Sequence, residues 1–471
     1  MRSGEALSAV DNAWLRMDQP TNLMVICGMM LFEHRLRLAA VKELVRQRML
    51  CFHRFRQRVS GAGFDARWQD DPAFDLDWHI RHIALPGHGS GGTLEDVVGG
   101  LVSTPLDPSK PMWQFHLIDD REGGSALLVR IHHCYGDGFA MMHVISSMMD
   151  EAPDRPQPGP SDLPRPATVG SALERMLGPV AQAAGAALRT AVSASALGKD
   201  LVTHPLQALA YAAAGVDFAW AAATIAAMPP DSATRLKGTL GVMKRVAWAP
   251  PLALAEVKAV AAALACSVND VLVACVTGAL RRYLQEQGEA LDEGDVRALV
   301  PVNMRPPGPL AELGNQFGLV FLDLPLALDE PVSRVLEVHG RMRALRGSRQ
   351  PAVSLAILHA MGVAPGILNQ RLADTLSGNA SLVISNVHGV EQPRYLAGQR
   401  IARQLFWVPQ SGSIGLGISL LSYAGEVGIG VMADAHLVPN PARIGQYFRG
   451  EFETLLLTLL LMPWPPRRHG G

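Results

Sequence analysis

The sequence predicts an α/β protein of layered α+β type, with two mixed blocks joined by a long linker. Three observations carry that reading. Period-two and helical-spacing apolar patterns occur side by side near both ends of the chain. Between them, Pro153 to Pro166 holds six prolines in fourteen residues, a stiff extended tether. Near the C-terminus, Ile414, Leu416, Ile418 and Leu420 alternate with Gly415, Gly417 and Ser419. After a turn at Ala424-Gly425-Glu426, Val427, Ile429 and Val431 alternate with Gly428 and Gly430. That pattern is a β-hairpin with one apolar face, and its glycines predict close backbone packing on the other.

The first block covers residues 1–152. Val41 to Leu50 reads as a helix, Ser125 to His133 as a strand and Phe139 to Met149 as a helix. Residues 153–233 form the linker, with an Ala-rich stretch from Ser171 to Met228 that reads as helical and ends at Pro229-Pro230. The second block covers 234–471. Ala253 to Ala265 and Val268 to Gln285 read as helices; Ala298 to Met304, Gln316 to Leu326 and Ser381 to Val387 read as strands.

Composition narrows the class. The 471 residues are 48% hydrophobic, enough for a sizeable core and too apolar for wholesale disorder. Lys plus Arg total 42 against 43 Asp plus Glu, and a nucleic-acid binder would carry a basic surplus. The five cysteines are odd in number and include no CxxC pair, which argues against a zinc site or a disulfide framework and for a reducing compartment. Met1 to Leu15 lacks the apolar core of a signal peptide. Leu206 to Met228 is a 23-residue stretch with one charge, Asp217. A central Asp costs about 2.5–3.5 kcal/mol on insertion, so a buried or surface-lying helix is expected rather than a span. Leu455 to Met462 is too short to cross a bilayer.

The densest polar cluster after an apolar run is Ile131-His132-His133-Cys134-Tyr135-Gly136-Asp137-Gly138. Strand alternation places His133 with Leu127, Val129 and Ile131, and His132 with Leu128 and Arg130. The two imidazoles therefore make poor joint ligands for one metal. One working histidine, with the other held in packing, is the expected arrangement. Gly136 and Gly138 permit a sharp turn that folds the Asp137 carboxylate back towards His133, fixing its tautomer. The plain alternative is that Asp137 only caps the following helix. Cys134 is expected to face away from the His133 side.

His132-His133-x-x-x-Asp137-Gly138 resembles the HHxxxDG signature of CoA-dependent acyltransferases and condensation enzymes. More of the chain agrees, in order. Leu7-Ser8-Ala9-Val10-Asp11 through Trp14-Leu15-Arg16-Met17, then Pro20-Thr21-Asn22-Leu23-Met24, resembles the N-terminal motif of the bacterial wax ester synthase/diacylglycerol acyltransferase family. Leu106-Asp107 with Lys110-Pro111-Met112-Trp113 resembles its PLW motif, and Ser267-Val268-Asn269-Asp270 its ND motif. Pro301-Val302-Asn303-Met304-Arg305, Gly314-Asn315-Gln316-Phe317-Gly318 and Ser385-Asn386-Val387 are similar too. Two departures stand out. Met112 replaces the usual Leu, a volume-conserving change, and His388 and Val390 stand where the family usually reads Pro-Gly-Pro.

The resemblance implies two domains similar to chloramphenicol acetyltransferase and condensation domains, joined by a long helical linker. It implies an O-acyltransferase that moves a long-chain acyl group from acyl-CoA to diacylglycerol or a long-chain alcohol. His133 would be the general base, an imidazole near pKa 6.5 being well matched to that task. A thioester is already electrophilic, so transfer is expected to be direct, without an acyl-enzyme. Asp137 would orient the site, pairing with Arg305, and His132 and Gly138 would support it. Asn269 and Asp270 also fit a capping box, and Trp113 also fits plain packing; both readings stay open beside substrate contact. No metal and no cofactor are expected, acyl-CoA being a co-substrate. The expected setting is cytoplasmic, at the inner face of the membrane or on lipid droplets, with the substrates in a tunnel between the blocks. A condensation-type enzyme that esterifies a polyketide or uses a carrier-protein donor, and an inactive lipid-binding scaffold, are the alternatives.

Overall fold

The structure is a computed structural model. It describes residues 4–85, 93–119, 123–154, 224–225, 227–291, 294–305, 313–363, 373 and 376–462. The proline-rich tether beyond Asp154 and the Ala-rich stretch through residue 223 lie outside the described residues.

The first part of the chain runs β1 (Glu5–Ala6), α1 (Ala9–Met17), β2 (Val25–Phe32), α2 (Leu38–Leu44), β3 (Gln57–Ser60), β4 (Arg67–Asp70), α3 (Leu76–His79), β5 (Ile80–Ala84), α4 (Leu94–Val102), β6 (Trp113–Asp119), β7 (Ser125–His132) and α5 (Gly138–Ser147). The second part runs β8 (Lys244–Trp248), β9 (Leu252–Ala253), α6 (Leu254–Ala263), α7 (Val268–Glu286), β10 (Val296–Asn303), β11 (Phe317–Leu324), α8 (Pro331–Arg346), α9 (Gln350–Val363), β12 (Leu382–His388), β13 (Tyr395–Leu396), β14 (Gln399–Trp407), β15 (Leu416–Tyr423), β16 (Glu426–Asp434) and α10 (Pro441–Leu461). Local chemistry explains the boundaries. Thr93 with Asp96, and Ser267 with Asp270, close capping boxes on α4 and α7. Proline opens α8 and α10, where its missing N–H costs nothing. Ala424 and Gly425 both hold positive φ, as the tight two-residue turn of the β15–β16 hairpin requires.

Three sheets result: β1-β4-β3, a six-stranded sheet β13-β14-β2-β7-β6-β5, and a seven-stranded sheet β11-β10-β12-β15-β16-β8 with β9 paired to β16. The sequence boundary at residue 234 is not a spatial one. β14, far into the second block, pairs antiparallel with β2, Trp407 opposite Cys27 and Met29 opposite Leu405. The hairpin glycines show where the two large sheets meet. A Cβ on Gly430 would lie 2.5 Å from the Phe406 carbonyl oxygen, and one on Gly417 3.0 Å from that of Val408. Only glycine lets the β14 backbone cross the hairpin so closely.

Helix α1 is seated against α9. A Cβ on Gly362 would overlap the Ala9 carbonyl, so the two backbones touch. Asn12 Nδ2 donates to the Gly362 carbonyl at 2.7 Å and Arg16 Nη1 to that of Met361 at 2.9 Å, filling acceptors that a helix C-terminus leaves open. Val10, Ala13 and Trp14 then join Phe317, Phe321, Leu358 and Met361 in a core between α1, α9 and β11. Ile225, at the end of the Ala-rich stretch, is buried in the same core. All five cysteines are free. Among the described residues, no single helix is long and apolar enough to cross a membrane. Gly362→Ala should push α1 off α9, cost about 1–3 kcal/mol of stability in urea titration and lower kcat. An unchanged unfolding midpoint would refute this seating.

Candidate active site

β7 is buried along its whole length and ends at His132, where the chain enters a short 3₁₀ turn, His133–Tyr135. His132 shapes that turn: its Nδ1 accepts the backbone N–H of Cys134 at 3.1 Å, and its Nε2 lies 3.7 Å from Asp18. The strand alternation thus stops one residue earlier than the sequence suggests. Gly136 follows, and its tightness is steric. A Cβ there would sit 2.9 Å from Met141 Cε and 3.0 Å from Ala140 Cβ. At Gly138 a Cβ would meet nothing within 4 Å, so the space beside the first turn of α5 is open.

Asp137 caps α5, accepting from Ala140 N at 2.9 Å. Its other oxygen accepts from Gln316 N at 2.9 Å and from Arg305 Nη1 at 2.5 Å. Arg305 Nη2 also donates to the Gly314 carbonyl at 2.6 Å. Both side chains of the ion pair are buried, and leaving one charge unpaired in such a place costs about 3–5 kcal/mol. The Asp137–Arg305 pair that the resemblance implies is present, but the carboxylate makes no hydrogen bond to His133 Nδ1 that would fix its tautomer. Helix cap, backbone amide and guanidinium take it up, and it acts on His133 through its field.

His133 is held from three sides. Its backbone N–H donates to the Met24 carbonyl at 2.7 Å, and its backbone carbonyl accepts from Asn315 Nδ2 at 2.7 Å. Asn315 is fixed in turn by Asp11, whose Oδ1 accepts from Asn315 Nδ2 at 2.8 Å and from its N–H at 3.2 Å. The imidazole stacks on Trp14, ring centroids 4.1 Å apart and planes 14° apart, with Phe317 tilted against it at 5.7 Å. Only 7% of His133 is exposed, and its Nδ1 has no hydrogen-bond partner among the described residues. Burial pushes its pKa down to about 4, against the opposing pull of the Asp137 carboxylate. The ring is therefore a neutral base at pH 7, well below the unperturbed value expected from sequence. Burial also pushes the Cys134 thiol well above its ordinary range, so no thiolate competes.

The remaining motif residues sit elsewhere. Trp113 is fully buried, stacks on His79 at 4.2 Å and donates Nε1–H to the Phe55 carbonyl at 2.8 Å. Asp270 closes the capping box of α7 and accepts from or pairs with His339 Nδ1 at 2.8 Å. Asn269 Oδ1 accepts from Asn386 Nδ2 at 2.7 Å, joining the ND motif to the Ser385-Asn386-Val387 strand. These contacts are structural ones, and none of them reaches His133. Trp14, Asn315 and Phe317 were visible inside quoted motifs, but nothing in their spacing marked them as the walls around His133. Among the described residues, no group of His, Cys, Asp and Glu could hold a metal ion.

Comparison with known proteins fits this geometry. Residues 7–272 match the wax ester synthase/diacylglycerol acyltransferase catalytic domain, and residues 313–456 the C-terminal domain of the same proteins. The chain belongs to this family. It is an acyltransferase of the wax ester synthase/diacylglycerol acyltransferase type. A Mycobacterium tuberculosis protein named as a diacylglycerol O-acyltransferase is 29% identical over 466 residues, covering 95% of this chain and 98% of the relative. Another from the same organism is 27% identical over 417 residues, 86% of this chain and 84% of the relative. The solved wax ester synthase/diacylglycerol acyltransferase from Marinobacter aquaeolei VT8 superposes with a TM-score of 0.69 at 23% identity, over 97% of this chain and 100% of that one. The first condensation domain of a calcium-dependent antibiotic synthetase gives 0.58 at 17% identity, over 97% and 96% of the two chains. The fold is thus shared by this acyltransferase family and by condensation domains.

The lowered pKa of His133 has a sign that can be checked. A base must be unprotonated to work, so activity is lost only as the pH falls through its own pKa. The acid limb of kcat/KM should lie near pH 4, the value to which burial pushes His133. A limb centred near the free-imidazole value of about 6.5 would show that the ring is solvated.

Proposed function

We propose that the chain moves a long-chain acyl group from acyl-CoA to diacylglycerol or to a long-chain alcohol, with His133 as general base and no covalent acyl-enzyme. The observation that carries this reading is an imidazole buried between the Trp14 and Phe317 rings, four residues before the Asp137 carboxylate. An alcohol is a poor nucleophile at neutral pH. His133 takes its proton as the oxygen attacks the thioester carbon, a contribution of about 10²–10⁴-fold. Collapse of the tetrahedral species expels the CoA thiolate, which takes the proton back from His133. Asp137 orients the turn and lends its charge to the transient imidazolium, with Arg305 holding it in place. His132 fixes the turn from behind, and Gly138 leaves room for the substrate. Assaying palmitoyl-CoA with hexadecanol or dioleoylglycerol should show free thiol released by the wild type and none by His133→Ala. Intact mass after a single turnover should show no acyl adduct; a stable adduct would overturn direct transfer.

Both substrates are greasy, and we place the protein at a membrane or lipid-droplet surface. Leu457, Leu460, Leu461 and Met462 at the end of α10 support this, with Leu461 84% exposed. Isolated exposed leucines are common, but four together at one helix end form an apolar tip. The protein should float with phosphatidylglycerol-containing vesicles, and Leu460→Ser with Leu461→Ser should release it. Flotation unchanged in that variant would assign the contact elsewhere.

A further inference from the structure

We propose that Trp14 is a catalytic residue whose indole N–H donates a hydrogen bond to the carbonyl oxygen of the acyl substrate as that oxygen gains charge. The inference rests on the reading of acyl transfer at His133 given above. Trp14 is 8% exposed, and its Nε1 has no hydrogen-bond partner among the described residues. A buried donor left unpaired is destabilising, and a ligand oxygen that accepts from it removes that cost. An unpaired indole is not by itself a site. Trp407 has one too, packed against Trp248 between the sheets. Trp14 differs in where its ring lies. It stacks on the proposed base at 4.1 Å, and the helix that carries it is pinned by Asn12 and Arg16 to α9.

The stack also dictates what the N–H can reach. The two rings are 14° from parallel, so the N–H lies in a plane beside the imidazole and cannot point at its nitrogens. A donor in that plane is placed for a third group that reacts alongside His133. An acceptor hydroxyl bound to the imidazole sits about 2.8 Å from it, with the thioester carbon about 3 Å further on in a near-attack pose. Such a bond requires the carbonyl oxygen to tilt towards the indole plane, within a hydrogen-bond length of the N–H. As the acceptor oxygen bonds to carbon, its proton passes to His133 and the carbonyl π pair moves to the oxygen held by Trp14. The pair returns, the carbon–sulfur bond breaks, and the thiolate leaves with the proton from His133.

Trp14→Phe keeps a stacking ring and deletes the N–H. Its kcat for palmitoyl-CoA and hexadecanol should fall about 10²-fold, the loss typical of one oxyanion donor, with KM little changed. A kcat within about two-fold of wild type would overturn the proposal and leave the oxyanion to the backbone N–H groups that open α5. Should Trp14→Phe fail to fold, benzothienylalanine at position 14 keeps shape and stack and removes only the donor. A purely stacking role leaves that variant at wild-type rate while Trp14→Ala is impaired. His133→Ala is measured beside them. If the wild type releases no thiol, the acyl-transfer reading itself falls; if His133→Ala is dead and the donor-deleted variants are not, only the role of Trp14 falls.

Discussion

A carboxylate can accept about four hydrogen bonds, and Asp137 fills its sites from three separate stretches of chain. Ala140 comes from the helix that Asp137 itself begins, Arg305 from the end of β10 and Gln316 from the start of β11. A buried charge must be paired. The turn after β7 can therefore be buried only if the β10–β11 connection is brought to it. That requirement joins the sheet that carries His133 to the sheet that covers it. Asn315, adjacent to Gln316, then falls against the His133 carbonyl, and Phe317 against its ring.

Burial at this joint decides the chemistry. Packed between Trp14 and Phe317, the imidazole loses its hydration, and the charged form becomes costly. A base with a pKa near 4 is weaker than one matched to pH 7. In exchange the slot is dry, which strengthens every dipole aimed at the reacting atoms and keeps water from the thioester. The field of Asp137 opposes the effect of burial, and it acts most strongly when His133 is charged. The same carboxylate thus holds the fold together and favours the imidazolium that forms in transit.

Local pattern made much of the fold legible. The hairpin of β15 and β16, the capping boxes and the strand–turn–helix around His133 each follow from residues near one another in sequence. β2 was not legible, because Val25 to Phe32 is apolar on both faces and shows no alternation. β14 was harder still. Nothing between Gln399 and Trp407 says that its partner lies more than three hundred residues earlier, in the sheet that its sequence neighbours β15 and β16 do not join. Asp270 was legible as the capping-box partner of Ser267, three residues away, whereas the contacts of Asn269 with Asn386 and of Trp113 with Phe55 and His79 join residues far apart along the chain. The Asp137–Arg305 pair was legible only through the family resemblance and the Gln316 contact was not legible at all, because both partners are distant along the chain.

By itself the sequence determined which groups are chemically able to act: one imidazole after a strand, a carboxylate four residues on, small residues at the turn, and motifs in a recognisable order. Covalent spacing and backbone sterics suffice for that, because they operate over a few residues. Only the tertiary structure decided how basic the imidazole is, which ring lies on it and where the carboxylate points. Those properties come from burial and from contacts between residues as far apart as Trp14 and Phe317, which meet only when α1, β7 and β11 pack together.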